Sequence, residues 1–387
     1  MVAILFLVGV AVAAFVGYNI GGATTGPAFG PAVGADVLSK SGAAALMSVF
    51  FFMGAGTLGQ RVVTTLGEDL VSGSNVFTLE TSIVVLFFIG GALFVGNFAG
   101  VPASTSMTAV GAIAGLGLAT NTLNWGAMGE IAIWWLVAPI IGFWVSGIVG
   151  RYFYSSIDSW VAIDSTEGAL FEFDRTGVVP KPVPGPNTTR RELFGGFVVV
   201  AIGCLMAFAS GTSNIANAIA PLVGAGVEIQ PMILLGSAAV AVGAFTIARR
   251  TLDTLGNDIT DLPLTAAIVV AVVSSGIVIS LSAVGIPASF VIIATMSIVG
   301  LGWGRATRTV TVREGIRGEK EPTVSVGALT ADEMPAIGEG DANDVPSASD
   351  LFNPGTSARV VLMQNVVPIL STVGALVTFS ALFTFVW

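Results

Sequence analysis

Thr65-Leu66-Gly67-Glu68-Asp69-Leu70 and Thr254-Leu255-Gly256-Asn257-Asp258-Ile259 are one motif written twice, 189 residues apart. The same offset carries Arg61 onto Arg250. Further along, Gly100-Val101-Pro102-Ala103-Ser104 returns as Gly285-Ile286-Pro287-Ala288-Ser289. Upstream, Gly17-Tyr18-Asn19 loosely matches Gly211-Thr212-Ser213-Asn214, and Leu136-Val137-Ala138-Pro139 later matches Val366-Val367-Pro368. Five blocks in one order describe a duplicated unit. In membrane proteins such repeats flank a central site.

Composition sets the solvent. Of 387 residues, 54% are apolar and 10% charged, against about 25% charged in soluble domains. The chain therefore reads as an all-α polytopic protein of the lipid bilayer. Its 49 glycines suit helices that approach closely in a membrane. The absence of His and a single Cys remove His-based acid–base chemistry, Cys/His metal clusters and internal disulfides. An enzyme is not expected, no resident cofactor is expected, and no metal-ligand set is identified. Cys204, in an apolar run, reads as a small core residue. A net charge of −9 with 3 Lys against 12 Arg offers nothing to nucleic acid. It suits the salty cytoplasm of a halophile, where hydrated carboxylates maintain solubility.

Ten runs are apolar enough to enter the bilayer: 2–21, 42–66, 76–98, 102–121 and 129–150, then 194–210, 229–252, 263–283, 286–303 and 359–386. The N-terminus, apolar from Val2, reads as a first span rather than a signal peptide. Five runs per half, an odd number, force the halves into opposite orientations and predict an inverted repeat with broken or re-entrant helices. The units are a first transmembrane repeat (1–150), a linker (151–193), the main part of the second repeat (194–303), an acidic loop (304–358) and a last span (359–387). The linker carries Arg151, Arg175, Lys181, Arg190 and Arg191, and the loop opens with Arg305, Arg308, Arg313 and Arg317. Positive charge marks the cytoplasmic side, so both polar segments are expected there and both termini outside, with ten crossings in the cell membrane. Val179 to Pro186, rich in proline, reads as a stiff extended linker. Residues 319–356, acidic and poor in large apolar groups, read as disordered or loosely docked.

Three places are expected to break the helices: Gly17 to Gly34, Gly211 to Gly224, and the Pro-Ala-Ser turns at 102–104 and 287–289. Freed backbone groups cannot face lipid, so such breaks line a polar cavity or lie buried. They carry Asn19, Thr24, Thr25, Ser104, Thr105, Ser106, Ser213, Asn214, Asn217 and Ser289. Hydroxyls, amides and helix N-termini bind anions; the plainer alternative is helix capping and glycine packing. Matching motifs in both halves favour a substrate site. Arg61, Thr65 and Asp69, with Arg250, Thr254 and Asp258, form a second candidate group: structural ion pairs, or a gate or ion path.

These blocks resemble the inorganic phosphate transporter family over nearly every membrane segment. Gly54-Ala55 with Gly59, Val62, Thr65 and Leu66 is similar to its G-A…G-x-x-V-x-x-T-[IL] helix. Thr254-Leu255-Gly256 with Ile259-Thr260, Leu262 and Pro263 is similar to its T-L-G-x-x-I-T-x-L-x-P helix. Val101 to Thr105 and Ile286 to Ser289 are similar to its P-V-S-T-T-H turns, without the His. The family's G-x-N-D-x-A-N signature is read here at Gly17 to Ala23, with Ile20 at the Asp position. It recurs at Gly211 to Asn217, with Asn214 there. The resemblance implies a symporter-type secondary transporter of inorganic phosphate or a related oxyanion by alternating access, sodium as coupling ion, and a homodimer. Loss of both signature carboxylates keeps two alternatives open: a sulfate or other anion permease, and a non-transporting sensor or scaffold. The topology is checked with Gly340→Cys in a Cys204→Ala background. An impermeant thiol reagent added outside intact cells is expected to leave it unlabelled, and strong labelling would reverse the assignment.

Overall fold

A computed structural model describes residues 2–34, 37–73, 76–98, 104–161, 171–174, 181–184, 190–248, 264–306 and 354–385. Arg250, Thr254, Asp258 and most of the acidic loop lie outside them. The first half holds α1 (Val2–Gly34), α2 (Lys40–Gly56), α3 (Gly59–Thr64), α4 (Leu79–Phe98), α5 (Thr105–Ala119) and α6 (Trp125–Ile148). A π-helical turn, Thr65–Asp69, extends α3, and another, Val149–Phe153, joins α6 to α7 (Tyr154–Val161). The second half holds α8 (Arg190–Gly224), α9 (Ile229–Thr246), α10 (Leu264–Ala283), α11 (Phe290–Ala306) and α12 (Pro354–Phe385). Between the halves β1 (Phe171–Asp174) pairs antiparallel with β2 (Lys181–Pro184), Phe171 opposite Pro184. The proline-rich linker is thus extended at Lys181–Pro184. A two-stranded ribbon is all edge, so its prolines need donate nothing inward.

Among the described residues seven helices are long and apolar enough to cross a membrane, eight if α2 and α3, bent by 64°, count as one span. The protein is a multi-pass membrane protein. All ten apolar runs are helical, yet ten full crossings do not follow. α5 has 15 residues and α11 has 17, about 22–26 Å at 1.5 Å per residue, short of a core about 30 Å thick. The reason lies in how they pair. Leu123 bridges Val71, the Asn124 N–H donates to the Leu70 carbonyl at 3.0 Å, and Ser82 Oγ donates to the Pro221 carbonyl at 2.6 Å. These contacts put the start of α4, the end of α5 and the end of α8 at one level. At the opposite end of α6, Thr265 Oγ1 donates to Asp158 Oδ1 at 2.7 Å, and the Arg305 guanidinium lies 4.0 Å over the Tyr154 ring. There the start of α10 and the end of α11 share a level. So α4–α5 and α10–α11 are helical hairpins that enter from opposite ends, and their tips meet at mid-bundle, where Ser106 Oγ donates to the Ala288 carbonyl. With both hairpins turning back at mid-bundle, six candidate traversals remain among the described residues: α1, bent α2–α3, α6, α8, α9 and α12. Each half loses two crossings, so parity is unchanged.

The helix breaks expected at Gly17 to Gly34 and Gly211 to Gly224 do not occur; α1 and α8 run straight through them. Two devices keep the helix closed. Asn19 Nδ2, Thr24 Oγ1 and Thr25 Oγ1 donate back to the carbonyls of Phe15, Ile20 and Gly21 at 2.7–2.8 Å, so they compete little with the main chain. The glycines serve close packing instead. A β-carbon at Gly21 would overlap the Val240 carbonyl oxygen, and one at Gly243 that of Tyr18. Between α2 and α8, one at Gly211 would overlap the Phe51 carbonyl, and one at Gly54 that of Phe208. Tyr18 and Gly21 precede Phe208 and Gly211 by 190 residues; Phe51 and Gly54 precede Val240 and Gly243 by 189. The α1–α9 and α2–α8 seams are one contact made twice, backbone against backbone. Likewise α5 packs on α12 and α6 on α11. Cys204 is buried in the largest apolar cluster.

The seam sets a stability prediction. Gly211→Ala overpacks it by one methyl, which costs about 1–3 kcal/mol. Gly30→Ala, with nothing within 4 Å of the added methyl, is the control. Thermal unfolding in detergent is expected to fall clearly for the first and not for the second.

Candidate functional site

The hairpin tips and the middles of α1 and α8 enclose a cavity of about 40 Å³, room for a few water-sized groups. Its walls come from all four elements. Ala23, Thr24, Pro27 and Ala28 belong to α1, and Met206, Ser210 and Asn214 to α8. Ser104 and Thr105 start α5; Ser289, Phe290 and Val291 start α11. Among the described residues no ionisable side chain lines it.

Each tip is held by hydrogen bonds because lipid could not satisfy its backbone. Ser104 caps α5, its Oγ accepting from the Met107 N–H at 3.3 Å. Thr105 Oγ1 donates to Asn214 Oδ1 at 2.6 Å, which also receives Asn217 Nδ2 at 3.3 Å. The second tip is gripped from three helices. Ser106 Oγ and Ser213 Oγ both donate to the Ala288 carbonyl, at 2.9 and 3.1 Å, and Trp135 Nε1 donates to the Pro287 carbonyl at 2.9 Å. Gly285 makes the turn at φ +82°, where only glycine sits unstrained. Ser289 Oγ, on a residue 6% exposed, has no partner among the described residues. Such a group costs free energy unless something fills it.

The residues singled out in the sequence fall into three sets. Thr24, Ser104, Thr105, Asn214 and Ser289 line the cavity. Ser213 and Asn217 stand one layer behind, bonded to the tip and to Asn214. Asn19 and Thr25 are elsewhere: Asn19 receives Asn97 Nδ2 on its carbonyl and Oδ1 at 3.0 and 3.1 Å, and Thr25 bonds its own helix. Ser210 and Trp135 were missed. Ser210 sits one turn before Asn214 on the same face, a spacing that could have found it; nothing in the sequence marks Trp135.

The seams also correct the repeat register. Gly21, not Gly17, is the partner of Gly211, so Thr24, not Ile20, stands where Asn214 stands. Pro31 and Gly34 then fall on Pro221 and Gly224. The first signature copy is Gly21 to Pro27, and the matching central positions of the two copies, Thr24 and Asn214, line the cavity.

Of the second candidate group, Arg61 is exposed on α3 and its guanidinium donates to the Ala283 carbonyl at the end of α10. Thr65 Oγ1 donates to the Arg61 carbonyl at 3.2 Å and lies against Gly285. Asp69 is exposed, its carbonyl receiving Asn124 Nδ2 at 3.0 Å. Thus α3 leans on the second hairpin's tip, outside the cavity.

Comparison with known proteins agrees with this layout. The chain is 30% identical to a sulfate permease, CysP, of Bacillus subtilis over 296 residues, 75% of each chain. It is 25% identical to the chloroplastic inorganic phosphate transporter 2-1 of Arabidopsis thaliana, covering 82% of this chain and 69% of that one. Its fold matches a solved sodium-dependent phosphate transporter with TM-score 0.67 and 18% identity, covering 99% of this chain and 100% of the other. The model of the phosphate transporter family matches residues 20–319, which take in both hairpins, both signature copies and the cavity, and the chain belongs to that family.

Proposed function

We propose that this protein is a secondary transporter carrying a tetrahedral oxyanion, phosphate or a related anion such as sulfate, across the cell membrane by alternating access. The family is one of transporters rather than enzymes. The observation that carries the reading is the central cavity, walled by hydroxyls and an amide from both halves, with two helix N-termini at its rim. Helix N-termini offer unpaired N–H groups and a positive dipole end to an anion. The names of the relatives cover both anions.

The halves form an inverted repeat in this proposal. The reciprocal α1–α9 and α2–α8 seams and the opposed hairpins support it. Rocking one half against the other then exposes the fixed cavity to each side in turn. With six traversals and two re-entrant hairpins, both long linkers share a side, which their Arg content assigns to the cytoplasm. Arg61 latches the gate on the terminal side: its bond to Ala283 pins the second hairpin to α3, and the hairpin must swing for the anion to pass.

Two measurements test this. Ser104→Ala and Ser289→Ala each remove a hydroxyl from the cavity wall. A hydrogen bond to a charged ligand contributes about 1.5–3 kcal/mol, so each change weakens oxyanion binding roughly tenfold or more by calorimetry. Two variants that bind like the parent would move the site elsewhere. For coupling, sodium is held here by neutral oxygens alone. Low ligand charge gives low cation affinity, so uptake into proteoliposomes saturates only at high sodium. Asn214→Asp adds a charge worth more than about 1 kcal/mol beside the cation, shifting half-saturation several-fold lower at saturating anion. Flat sodium curves in both proteins would leave an uncoupled or proton-linked carrier.

A further inference from the structure

We propose that Phe290 sets the size limit of the cavity. Compact tetrahedral oxyanions such as phosphate and sulfate fit, and bulkier ones, with a larger central atom or an organic substituent, are turned away. This rests on the transport reading above and names how its site chooses among oxyanions. The register of the two hairpins singles the residue out. Ser104 and Ser289 are 185 residues apart, and so are Thr105 and Phe290. The packing of the helices that follow keeps that register. A β-carbon at Gly115 would press on the Thr372 carbonyl oxygen, and one at Gly300 on that of Phe143. Gly115 and Gly300 are again 185 apart, while Phe143 and Thr372 keep the 229-residue offset of Pro139 and Pro368. Thus α5 on α12 and α11 on α6 are one contact made twice, and Phe290 stands where Thr105 stands.

Both residues line the cavity. Thr105 gives it a short side chain whose proton goes to Asn214 Oδ1. Phe290 gives it a ring, the bulkiest group on the described wall. The ring is held in place. It packs against an apolar cluster that includes Ala209, Ala288 and Ile293, and packed interiors yield little. The turn just before it is fixed as well, with the Ala288 carbonyl held by Ser106 and Ser213 and the Pro287 carbonyl by Trp135. Met206, the other long side chain on the described wall, is unbranched and adapts its shape to what it meets.

The ring leaves a space of about 40 Å³, the room of about three waters. Four oxygens around one small atom take up space of that order. A longer bond to the central atom, or a carbon on one oxygen, adds bulk that has to press on the ring, on the capped tips or on α1 at Pro27 and Ala28. A pocket too tight by one methylene discriminates by roughly 10–200-fold.

The test uses the full-length protein in proteoliposomes, with labelled sulfate and labelled phosphate and two bulkier competitors. Molybdate matches sulfate in shape and charge and is larger; methyl phosphate is phosphate with a carbon on one oxygen. In the parent, each is expected to halve uptake only at a concentration at least about tenfold above that of its compact partner. Phe290→Thr gives the second tip the residue of the first, and Phe290→Leu trims the ring but stays apolar. Each is expected to bring the members of a pair within about threefold of one another. The readout is a ratio within one protein, so a loss of folded carrier cancels. Bulky anions that compete as well as compact ones in the parent would overturn the size limit while leaving oxyanion transport standing. Parent-like ratios in both variants would show that another group sets the limit. A change in Phe290→Thr alone would show that the added hydroxyl, not the lost bulk, moves the ratio, and would overturn the proposal too. Uptake of neither labelled anion would overturn the transport reading along with it.

Discussion

A turn placed at the middle of a bilayer leaves amides and carbonyls that hydrocarbon cannot satisfy, each costing several kcal/mol if left bare. The turn at Pro287–Ser289 and the start of α5 at Ser104 exist at that depth only because protein surrounds them. The Ala288 and Pro287 carbonyls are capped by Ser106, Ser213 and Trp135 from three helices, and the end of α10 is capped by Arg61. This need accounts for much of the architecture. The tips must be wrapped, so α1 and α8 run past them unbroken. Those helices must lie close enough to reach, so their partners α9 and α2 meet them at glycines. The cavity is what remains when two capped tips face two long helices.

The correspondence between the halves is broken at the polar residues around the cavity. Thr24 stands opposite Asn214, Thr105 opposite Phe290, and Ser106 opposite Val291. The first tip therefore donates across the bundle through Thr105 and Ser106, while the second tip mostly receives. The long helices differ likewise. Asn97 ties the first hairpin to α1 with two bonds on Asn19, whereas Ser282 of the second hairpin meets α8 through one hydroxyl contact with Thr212 at 3.1 Å. Packing repeats and polarity does not. Shared backbone geometry needs the same small residues in both halves, but the proposed anion can be addressed by different donors from each side.

That distinction explains what was legible in the chain. Apolar runs gave the class and the helices, because lipid imposes one rule on every exposed residue. The duplicated turns pointed to Ser104 and Ser289. The glycine-rich stretch Gly17 to Gly34 was misread as a break because glycine does two jobs. It loosens a helix beside water and lets two helices touch in lipid, and which one applies depends on the partner, here α9. The same stretch hid the register: Asn19 looks like a signature residue, yet only the backbone contact of Gly21 with Val240 shows that Thr24 occupies that place. The crossing count failed for a related reason. Apolarity says that α5 and α11 sit in lipid, not that they reach the far side. Trp135 could not be found at all, since its role is set by where a distant turn ends.

The absence of carboxylates from the described part of the wall has a consequence for energetics. Moving one charge through the membrane potential is worth about 2.3 kcal/mol per 100 mV, so a dianion drawn into a negative interior pays about twice that. A carrier with acidic ligands offsets part of this by binding cations tightly. This cavity, whose described wall holds neutral groups alone, does not. On the symport reading proposed above, coupling ions are held by hydroxyl and amide oxygens and by the anion itself, so cation and anion stabilise each other and arrive together. Weak separate binding with strong mutual binding is a useful arrangement for a symporter. It disfavours a half-loaded carrier, because a lone dianion meets only dipoles and a lone cation only neutral oxygens. On that reading, charge balance in the cavity falls to the cargo.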